Sequence, residues 1–412
     1  MKGLLIFLII FGLLVFVHEF GHFIVAKKSG IRVREFSIGM GPKLFQKRRS
    51  TTTYTIRWLP LGGYVRLAGS DDAAVIDPGS AVVLQMDHDK VVRIDASESN
   101  MPIAGIPVRV TKADLVKDLT ISGYENGDES ETKTYQVDHD ATIIDTNKNE
   151  LIIAPLDTQF QEAGIWQKLA TNFAGPFMNI VLGFVVFMIW SFVSIGPQTT
   201  TVAKTAANSP ASSVLQKGDT ITAINGKKIS SFGQVQEKIA ASKGKTISIS
   251  YQRDGKTYTS KITPQKKSGT YLIGVQAQSD NSFGAKAKRG WDEAVYISGM
   301  IFRALGNLVQ HFSLNKLSGP VGIYSQTSQV SQMGFTYVLM YLAMISINLG
   351  IVNLVPIPGL DGGKLLLNLI ELIRGKPISE EHETAVEVVG FVVLLVLIIA
   401  VTGNDIYRYF IK

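Results

Sequence analysis

The stretch that decides the fold lies near the start of the chain, where residues 4–26 read LLIFLIIFGLLVFVHEFGHFIVA. An α-helix rises about 1.5 Å per residue, so this apolar run is long enough to cross the roughly 30 Å hydrocarbon core of a bilayer. Only His18, Glu19 and His22 interrupt it with ionisable side chains. Each such group costs about 2.5–3.5 kcal/mol near the centre of a span, so three together indicate a functional or pairing role.

The spacing of these three residues is typical of a zinc hydrolase. His18 and His22 are four residues apart, which places both imidazoles on one helical face where they can bind a single Zn²⁺. Glu19 could take a proton from the attacking water and pass it to the leaving amine. The alternative is a buried hydrogen-bond network, or a polar cluster that reaches the cytoplasmic surface, because His22 lies close to Lys27.

Three further apolar runs, residues 170–195, 336–355 and 385–401, are also long enough to span a membrane. They explain why 46% of the 412 residues are hydrophobic and only 18% are charged. The first run could instead be a signal peptide, but it has no small-residue cleavage site and is followed by Lys27 and Lys28. We therefore expect four uncleaved transmembrane helices.

The distribution of basic residues predicts the orientation of these helices. Residues 27–66 are strongly basic, and Arg374 and Lys376 lie in the short loop before the last run. By the positive-inside rule both loops are cytoplasmic, so the termini and the loop between the second and third spans lie outside. The formal net charge of +7 is then a topology signal and does not indicate nucleic-acid binding.

A catalytic zinc site needs a third protein ligand. The chain has no cysteine, and no other histidine lies in a span. The remaining candidate is Asp361, in the sequence NLVPIPGLDGG at the end of the third run, on the same side of the membrane as the first motif. The competing interpretation is that Asp361 is only a turn residue of the Asp-Gly-Gly sequence.

Polar sequence separates the spans. Residues 51–67 alternate in polarity, which predicts a β-hairpin beside the first span. The Asp-rich residues that follow predict a small β-rich cytoplasmic insert, and residues 201–264 predict a compact β-domain with a hairpin turn at Asn225-Gly226. An amphipathic segment at residues 291–312 fits an interfacial helix better than a fifth span, because Arg303 falls in its middle.

The predicted fold is thus a polytopic α-helical membrane protein with β-rich additions. The predicted boundaries are 1–27 for the first span, 28–70 for a membrane-associated β-region, 71–165 for the cytoplasmic insert, 168–196 for the second span, 200–276 for the outer β-domain, 290–330 for the interfacial segment, 335–363 for the third span and 384–403 for the fourth.

Taken together, these motifs closely resemble those of the bacterial site-2 proteases, the RseP-like intramembrane zinc metalloproteases with a PDZ domain. The resemblance is carried by His18-Glu19-x-x-His22, by Asn353-x-x-Pro356-x-Pro358-x-Leu360-Asp361-Gly362, and by the PDZ-like sequence NSPASSVLQKGDTITAINGKKI between them. It covers nearly the whole chain. The residues depart from the family pattern at Lys364, where many members have histidine, and only one PDZ-like domain is visible.

The resemblance implies roles for particular residues. His18, His22 and Asp361 would bind Zn²⁺, and Glu19 would be the catalytic acid and base. The residues expected to contact substrate are Asn353, Pro356, Asn179 of the Ala-Gly-Pro-x-x-Asn element, and Gly63 and Tyr64 of the hairpin. That hairpin could pair with an extended substrate by strand addition, or it could simply cap the helix bundle.

The same resemblance implies an activity and a location. The substrates would be single-span membrane proteins already trimmed on the outer side, such as anti-sigma factors or remnant signal peptides. The protein would lie among the lipids of the bacterial cytoplasmic membrane, with its active site towards the cytoplasm and its PDZ-like domain outside. Two alternatives remain: a membrane-tethered PDZ peptide-binding protein with a non-catalytic metal site, and a transporter, although no internal repeat is visible.

Overall fold

The structure is a computed structural model that describes residues 2–69, 76–97, 105–145 and 150–411. Part of the predicted insert, including residues 71–75, therefore lies outside the described residues. The helices are α1 Lys2–Lys28, α2 Ile165–Val193, α3 Phe232–Ala241, α4 Phe283–Gln310, α5 Pro320–Met333, α6 Phe335–Asn353, α7 Asp361–Arg374 and α8 Glu380–Ile406.

The strands fall into three groups along the chain. They are β1 Val33–Arg49 and β2 Thr52–Leu67; β3 Ala81–Asp87, β4 Lys90–Asp95, β5 Ile106–Asp114, β6 Thr120–Glu125, β7 Thr132–Ile144 and β8 Glu150–Ile152; and β9 Gln198–Thr205, β10 Thr220–Ile224, β11 Lys227–Lys228, β12 Ile247–Arg253, β13 Lys256–Ile262, β14 Gln265–Lys267, β15 Thr270–Leu272 and β16 Val275–Ser279.

Within the described residues, four helices are long and apolar enough to cross a membrane: α1, α2, α6 and α8. These four helices correspond to the four apolar runs of the sequence. The chain forms two compact units. The first comprises residues 1–183, 298–334 and 344–412, and the second comprises residues 184–297 and 335–343.

In the first unit, β1 and β2 form a long antiparallel ribbon that folds back on itself. Phe36 of β1 pairs with both Val65 and Tyr54 of β2, so the first half of β1 lies between the two halves of β2. The prediction of a hairpin within residues 51–67 is therefore wrong. Those residues form one strand, β2, whose main partner is β1. The alternation of polar and apolar residues in β1 is hard to recognise in the sequence because the strand contains many basic residues.

The ribbon packs on the first span through aromatic side chains. The ring of Phe36 lies 6.1 Å from that of Phe16 and 5.1 Å from that of Phe23, and Tyr54 also contacts Phe23. Side chains on one face of a strand alternate with those on the other. One face of the ribbon is thus apolar and covers α1, and its opposite face is polar.

The insert that follows the ribbon is a small closed barrel. Strand β4 pairs with β3 and also with β7, which joins β3 to β7 into a ring of five strands, and β8 extends the sheet. Its core contains the fully buried side chains of Leu84, Val91, Ile94 and Ile121. Because closure depends on the parallel pairing of β4 and β7, which are distant in sequence, the alternation pattern alone predicts strands but not a barrel.

The third predicted span ends earlier than expected. Helix α6 stops at Asn353, a loop containing Pro356 and Pro358 follows, and Asp361 is the first residue of α7. Asp361 is therefore not a turn residue. A Cβ at Gly362 would collide with the carbonyl groups of the preceding loop, so glycine here permits the close approach of helix and loop.

The second unit contains the β-domain predicted at residues 201–264, in which β9, β10, β12, β13 and β16 form a sheet and α3 contributes to the core. The predicted hairpin is confirmed. Asn225 and Gly226 connect β10 to β11 with φ angles of 47° and 74°, the left-handed conformation that a two-residue hairpin turn requires. The amphipathic residues 291–312 lie largely in α4.

Candidate active site

Three side chains from two distant parts of the first unit converge at one point. The Nε2 atoms of His18 and His22 are 3.3 Å apart, and Oδ2 of Asp361 lies 3.1 Å from the first and 3.5 Å from the second. Among the described residues, these three form the one group of histidine or acidic side chains with the spacing of metal ligands. Helix α1 supplies both histidines, and the first turn of α7 supplies the carboxylate.

This geometry fits zinc. A tetrahedral Zn²⁺ with bonds of about 2.0–2.1 Å separates its ligand atoms by about 3.3–3.4 Å, close to the three distances found here. Two imidazoles and one carboxylate are a ligand set of catalytic zinc sites, which leave a fourth position for water or substrate. The exposed fraction of the side chains of His18 and Asp361 is only 13% and 17%, so the ligands are largely screened from solvent.

The ring of His22 is held by the backbone of α2. Its Nδ1–H donates to the carbonyl oxygen of Thr171 at 2.7 Å. A proton on Nδ1 leaves the lone pair of Nε2 free for a metal, so this hydrogen bond selects the metal-binding tautomer. Nothing in the sequence indicates this role of Thr171, since a backbone carbonyl leaves no signal in the residue type.

Helix α2 can approach the histidines only because it has a glycine at the contact. A Cβ at Gly175 would overlap the imidazole of His22, and a Cβ at Gly21 would lie 2.5 Å from the carbonyl oxygen of Ala174. The Ala-Gly-Pro part of the motif around Asn179 therefore has a steric function. It lets the two helices pack closely enough to bring Thr171 to His22.

Asn179 was expected to contact substrate, and the structure places it elsewhere. It is fully buried, its amide faces Nδ1 of His18 at 3.2 Å, and its backbone carbonyl accepts a hydrogen bond from Ser346 of α6 at 2.6 Å. A side chain enclosed by three helices has no free face for a peptide. In this structure the Asn179 side chain therefore lies against His18, and its substrate role stays a prediction.

Glu19 lies beside the three ligands. The titratable groups close enough to act on its carboxylate include His22, His18, Asp361 and Lys364. The ribbon also packs against Glu19. A Cβ at Gly63 of β2 would lie 3.1 Å from Cγ of Glu19 and 2.7 Å from the carbonyl oxygen of Ser37. The end of β2 thus borders the prospective general base.

Tyr64 is held by a polar network on the ribbon. Its hydroxyl accepts a hydrogen bond from Arg57 at 2.7 Å, and Arg57 also donates to the hydroxyl of Ser37 at 3.1 Å. Burial raises the pKa of Glu35, but hydrogen bonds from Thr55 and Tyr64 and the charge of Arg57 outweigh it, so the pKa lies below its usual range. The network keeps Glu35 ionised and fixes the edge of the ribbon.

The other expected substrate contacts lie just before α7. Asn353, the last residue of α6, is half-buried, and no side chain or backbone group within the described part of the chain is a hydrogen-bond partner of its amide. Pro356 is exposed in the following loop. The amine of Lys364 lies 3.7 Å from the carboxylate of Glu387.

The comparison with known proteins decides the family. Residues 6–397 match peptidase family M50. The chain belongs to that family. A Lactococcus lactis protein named as a zinc metalloprotease is 45% identical, and the Enterococcus faecalis protein named as the protease Eep is 43% identical, each over the full length of both chains. As an M50 member, this protein is a membrane-embedded zinc metalloprotease of the site-2 type.

A local match to a solved structure falls in a small part of the chain. The PDZ domain of the SdrC-like protein of Listeria monocytogenes is 29% identical over 20% of this M50 protease and 88% of that domain, with a TM-score of 0.17. Similarity at that score says nothing about how this β-domain folds. The PDZ assignment therefore rests on the NSPASSVLQKGDTITAINGKKI sequence.

Proposed function

We propose that this M50 protease hydrolyses single-span membrane proteins inside the bilayer, with His18, His22 and Asp361 as the zinc ligands and Glu19 as the catalytic acid and base. The observation that carries the proposal is the convergence of the three ligand atoms within 3.1–3.5 Å of one another, beside Glu19. Neither motif alone forms a complete site, and the fold brings both to one place.

The metal and the protein have different roles in the hydrolysis. Zn²⁺ bound by His18, His22 and Asp361 would act as a Lewis acid that lowers the pKa of water towards about 7 and polarises the scissile carbonyl. The Glu19 carboxylate accepts the proton that the attacking water loses as its oxygen bonds to the carbonyl carbon. It then donates that proton to the amide nitrogen as the carbon–nitrogen bond breaks, so a neutral amine leaves and Glu19 is regenerated.

A transmembrane substrate must unwind before this can occur, because helical hydrogen bonds occupy its carbonyls. The end of β2 offers new partners. Gly63 and Tyr64 pair with β1 on one side only among the described residues, and Gly63 borders Glu19. We propose that the unwound segment adds as a strand to this edge, while the amide of Asn353 binds one of the freed backbone groups.

The remaining parts of the proposal concern location and substrate choice. We propose that the active site faces the cytoplasm of a bacterial membrane, because basic residues follow α1 and precede α8. The β-domain then lies outside and would act as a PDZ-type filter that admits segments already trimmed there. Anti-sigma factors and remnant signal peptides are the substrate classes that fit.

The test is cleavage of a purified single-span substrate by the full chain in lipid vesicles. Glu19→Gln removes the proton carrier and preserves the shape of the side chain, so we expect activity to fall by about 10²–10⁴-fold. Glu237→Gln, an identical change at an exposed position of α3, is the matched control and should cleave normally. Undiminished cleavage by Glu19→Gln would refute the proposal and favour a peptide-binding protein with a non-catalytic site.

A further inference from the structure

A polar cavity of about 630 Å³ lies between the start of α2, helix α7 and the loop before α8, all within the first unit. Helix α7 contributes Lys364, Asn368 and Glu371 to its wall, which lie three, seven and ten positions after Asp361. With 3.6 residues per turn, these three residues share one helical face with Asp361. The cavity therefore begins about one helical turn from a proposed zinc ligand.

The wall of this cavity has an excess of negative charge. Four carboxylates and two amines line it, those of Glu162, Glu371, Glu383, Glu387, Lys168 and Lys364. Both amines are already close to a carboxylate. Nζ of Lys168 lies 3.0 Å from Glu371, and Nζ of Lys364 lies 3.7 Å from Glu387.

Glu162 and Glu383 are the two carboxylates in excess. Within the described part of the chain, neither forms an ion pair. The like charges of Glu387 and Glu371 act on Glu383, as do the charges of the two amines. A cationic group in the cavity would be attracted by the excess charge and would reduce the repulsion among the carboxylates.

Two uncharged side chains of the same wall lack the partners that buried polar groups normally have. Asn368 is only 5% exposed, and its amide nitrogen has no hydrogen-bond partner among the residues that the structure describes. The same holds for the buried amide oxygen of Gln161. Because buried polar groups are rarely left unpaired, this wall fits a ligand with both an acceptor and a donor. A peptide backbone carries both groups.

The cavity adjoins the strand that we propose to receive substrate. Phe160, which lines the cavity, packs in one apolar cluster with Val65 and Leu67 of β2. These two residues follow Gly63 and Tyr64 along the strand, and Leu67 is about 13 Å from Gly63 along an extended chain. A substrate segment that pairs with Gly63 can therefore reach the cavity with residues about four to six positions away.

We propose that this cavity binds a lysine or arginine side chain in the cytoplasmic flank of the substrate. The inference rests on the proposed function, in which the substrate is a single-span protein and this side of the membrane is cytoplasmic. Basic residues are enriched at the cytoplasmic ends of transmembrane segments, so such a substrate presents the required cation. Glu162 and Glu383 bind its charge, and Asn368 and Gln161 bind the adjoining backbone. The cavity thus selects substrates by the charge of their flank.

The test measures binding and so does not depend on hydrolysis. The full chain carrying Glu19→Gln is placed in nanodiscs with a fluorescent single-span peptide that has two lysines in its cytoplasmic flank, or two glutamines at the same positions. We expect the lysine peptide to bind about tenfold more tightly, and Glu162→Gln/Glu383→Gln to abolish this preference. The matched control, Glu237→Gln/Glu381→Gln, removes the same charge at exposed positions outside the cavity and should keep the preference.

Three results would overturn the inference. The first is equal affinity for both peptides when the cavity is unaltered. The second is an equal loss of preference in both double variants, which would show unspecific attraction to an acidic surface. The third is binding of Mg²⁺ that requires Glu162 and Glu383 without any preference between the peptides, which would mean that the cavity holds an inorganic cation.

Cleavage by the wild-type chain is measured separately, so the two proposals fail in different ways. A preference for the lysine peptide in a chain that does not cleave would support the cation site and refute the proposed proteolysis. Cleavage that is lost in Glu19→Gln, together with equal affinity for both peptides, would support the proteolysis and refute the cation site.

Discussion

The amide nitrogen of Asn179 lies 3.2 Å from Nδ1 of His18, and the buried amide oxygen of Asn179 has no hydrogen-bond partner within the described ranges. A histidine that binds metal through Nε2 carries its proton on Nδ1 and must donate it. Turning the amide by 180° presents its oxygen to that proton, and the two orientations have the same shape. We infer that Asn179 accepts a hydrogen bond from His18 and fixes its tautomer.

This relationship predicts how two substitutions of Asn179 differ. Asn179→Leu removes the acceptor and should weaken zinc affinity by about 10–100-fold, whereas Asn179→Asp keeps an acceptor oxygen and should lose much less. Competition with a chromophoric chelator measures both affinities. Equal affinities for wild type and Asn179→Leu would show that His18 does not depend on this amide.

A second prediction concerns the contact between the first two spans. Gly175→Ala places a methyl group against the imidazole of His22, so either the ring or α2 must move and the Thr171 hydrogen bond is lost. We expect loss of bound zinc and at least about a tenfold loss of activity. Gly12→Ala is the matched control, because a Cβ there meets no atom within 4 Å. Normal zinc content in Gly175→Ala would contradict the packing argument.

A third prediction concerns the edge of the ribbon. Arg57 binds the hydroxyl groups of Tyr64 and Ser37 and the carbonyl of Gly41, so Arg57→Gln should loosen the strand proposed to receive substrate. We expect KM to rise by roughly tenfold with a smaller change in kcat, as for the loss of a charged hydrogen bond that positions bound substrate. Arg49→Gln, on the same ribbon, should leave both constants unchanged. A fall in kcat alone would instead place Arg57 in the chemical step.

A fourth prediction concerns the pH dependence of the β-domain in the second unit. Asp219 accepts two hydrogen bonds of 2.7 Å from Arg253 and one of 2.8 Å from the backbone of Gln216. Burial raises the pKa of Asp219, but these hydrogen bonds and the charge of Arg253 outweigh it, so the pKa lies below its usual range. The resulting stabilisation is present above the unfolded value of about 3.9 and is lost as the pH falls through the lower folded value.

Hydrogen exchange in β10 and β12 of the full chain measures this effect. Relative to wild type, Asp219→Asn should expose these strands at pH 7, and the difference should shrink as the pH approaches 3. Asp254→Asn, a neighbouring exposed position, should behave like wild type at both pH values. A difference between Asp219→Asn and wild type that persists undiminished at low pH would mean that packing, and not the ion pair, stabilises this corner.

The sequence alone predicts the parts of this protein that depend on local periodicity. Long apolar runs identify four spans, the Asn225-Gly226 pair identifies its hairpin, and the spacing of His18 and His22 identifies a metal-binding face. Each of these features is determined by residues that lie close together in the sequence.

Features set by distant contacts could not be predicted in this way. Both halves of β2 pair with β1, whose Phe36 packs on α1, and nothing in residues 51–67 specifies that partner. The barrel closes through the pairing of β4 with β7, and Asn179 turns towards His18 only after two helices have packed. Gly175 offered a signal, since a glycine inside a span indicates close approach, but the identity of its neighbour required the fold.

The zinc content of the purified full chain, measured by elemental mass spectrometry on a set of variants, tests whether His18, His22 and Asp361 are the metal ligands. We expect about one zinc per chain in wild type and in Glu19→Gln, and almost none in His22→Ala or Asp361→Ala, because three protein ligands are required. Zinc retained by Asp361→Ala at the wild-type level would contradict the assignment of Asp361 as the third ligand.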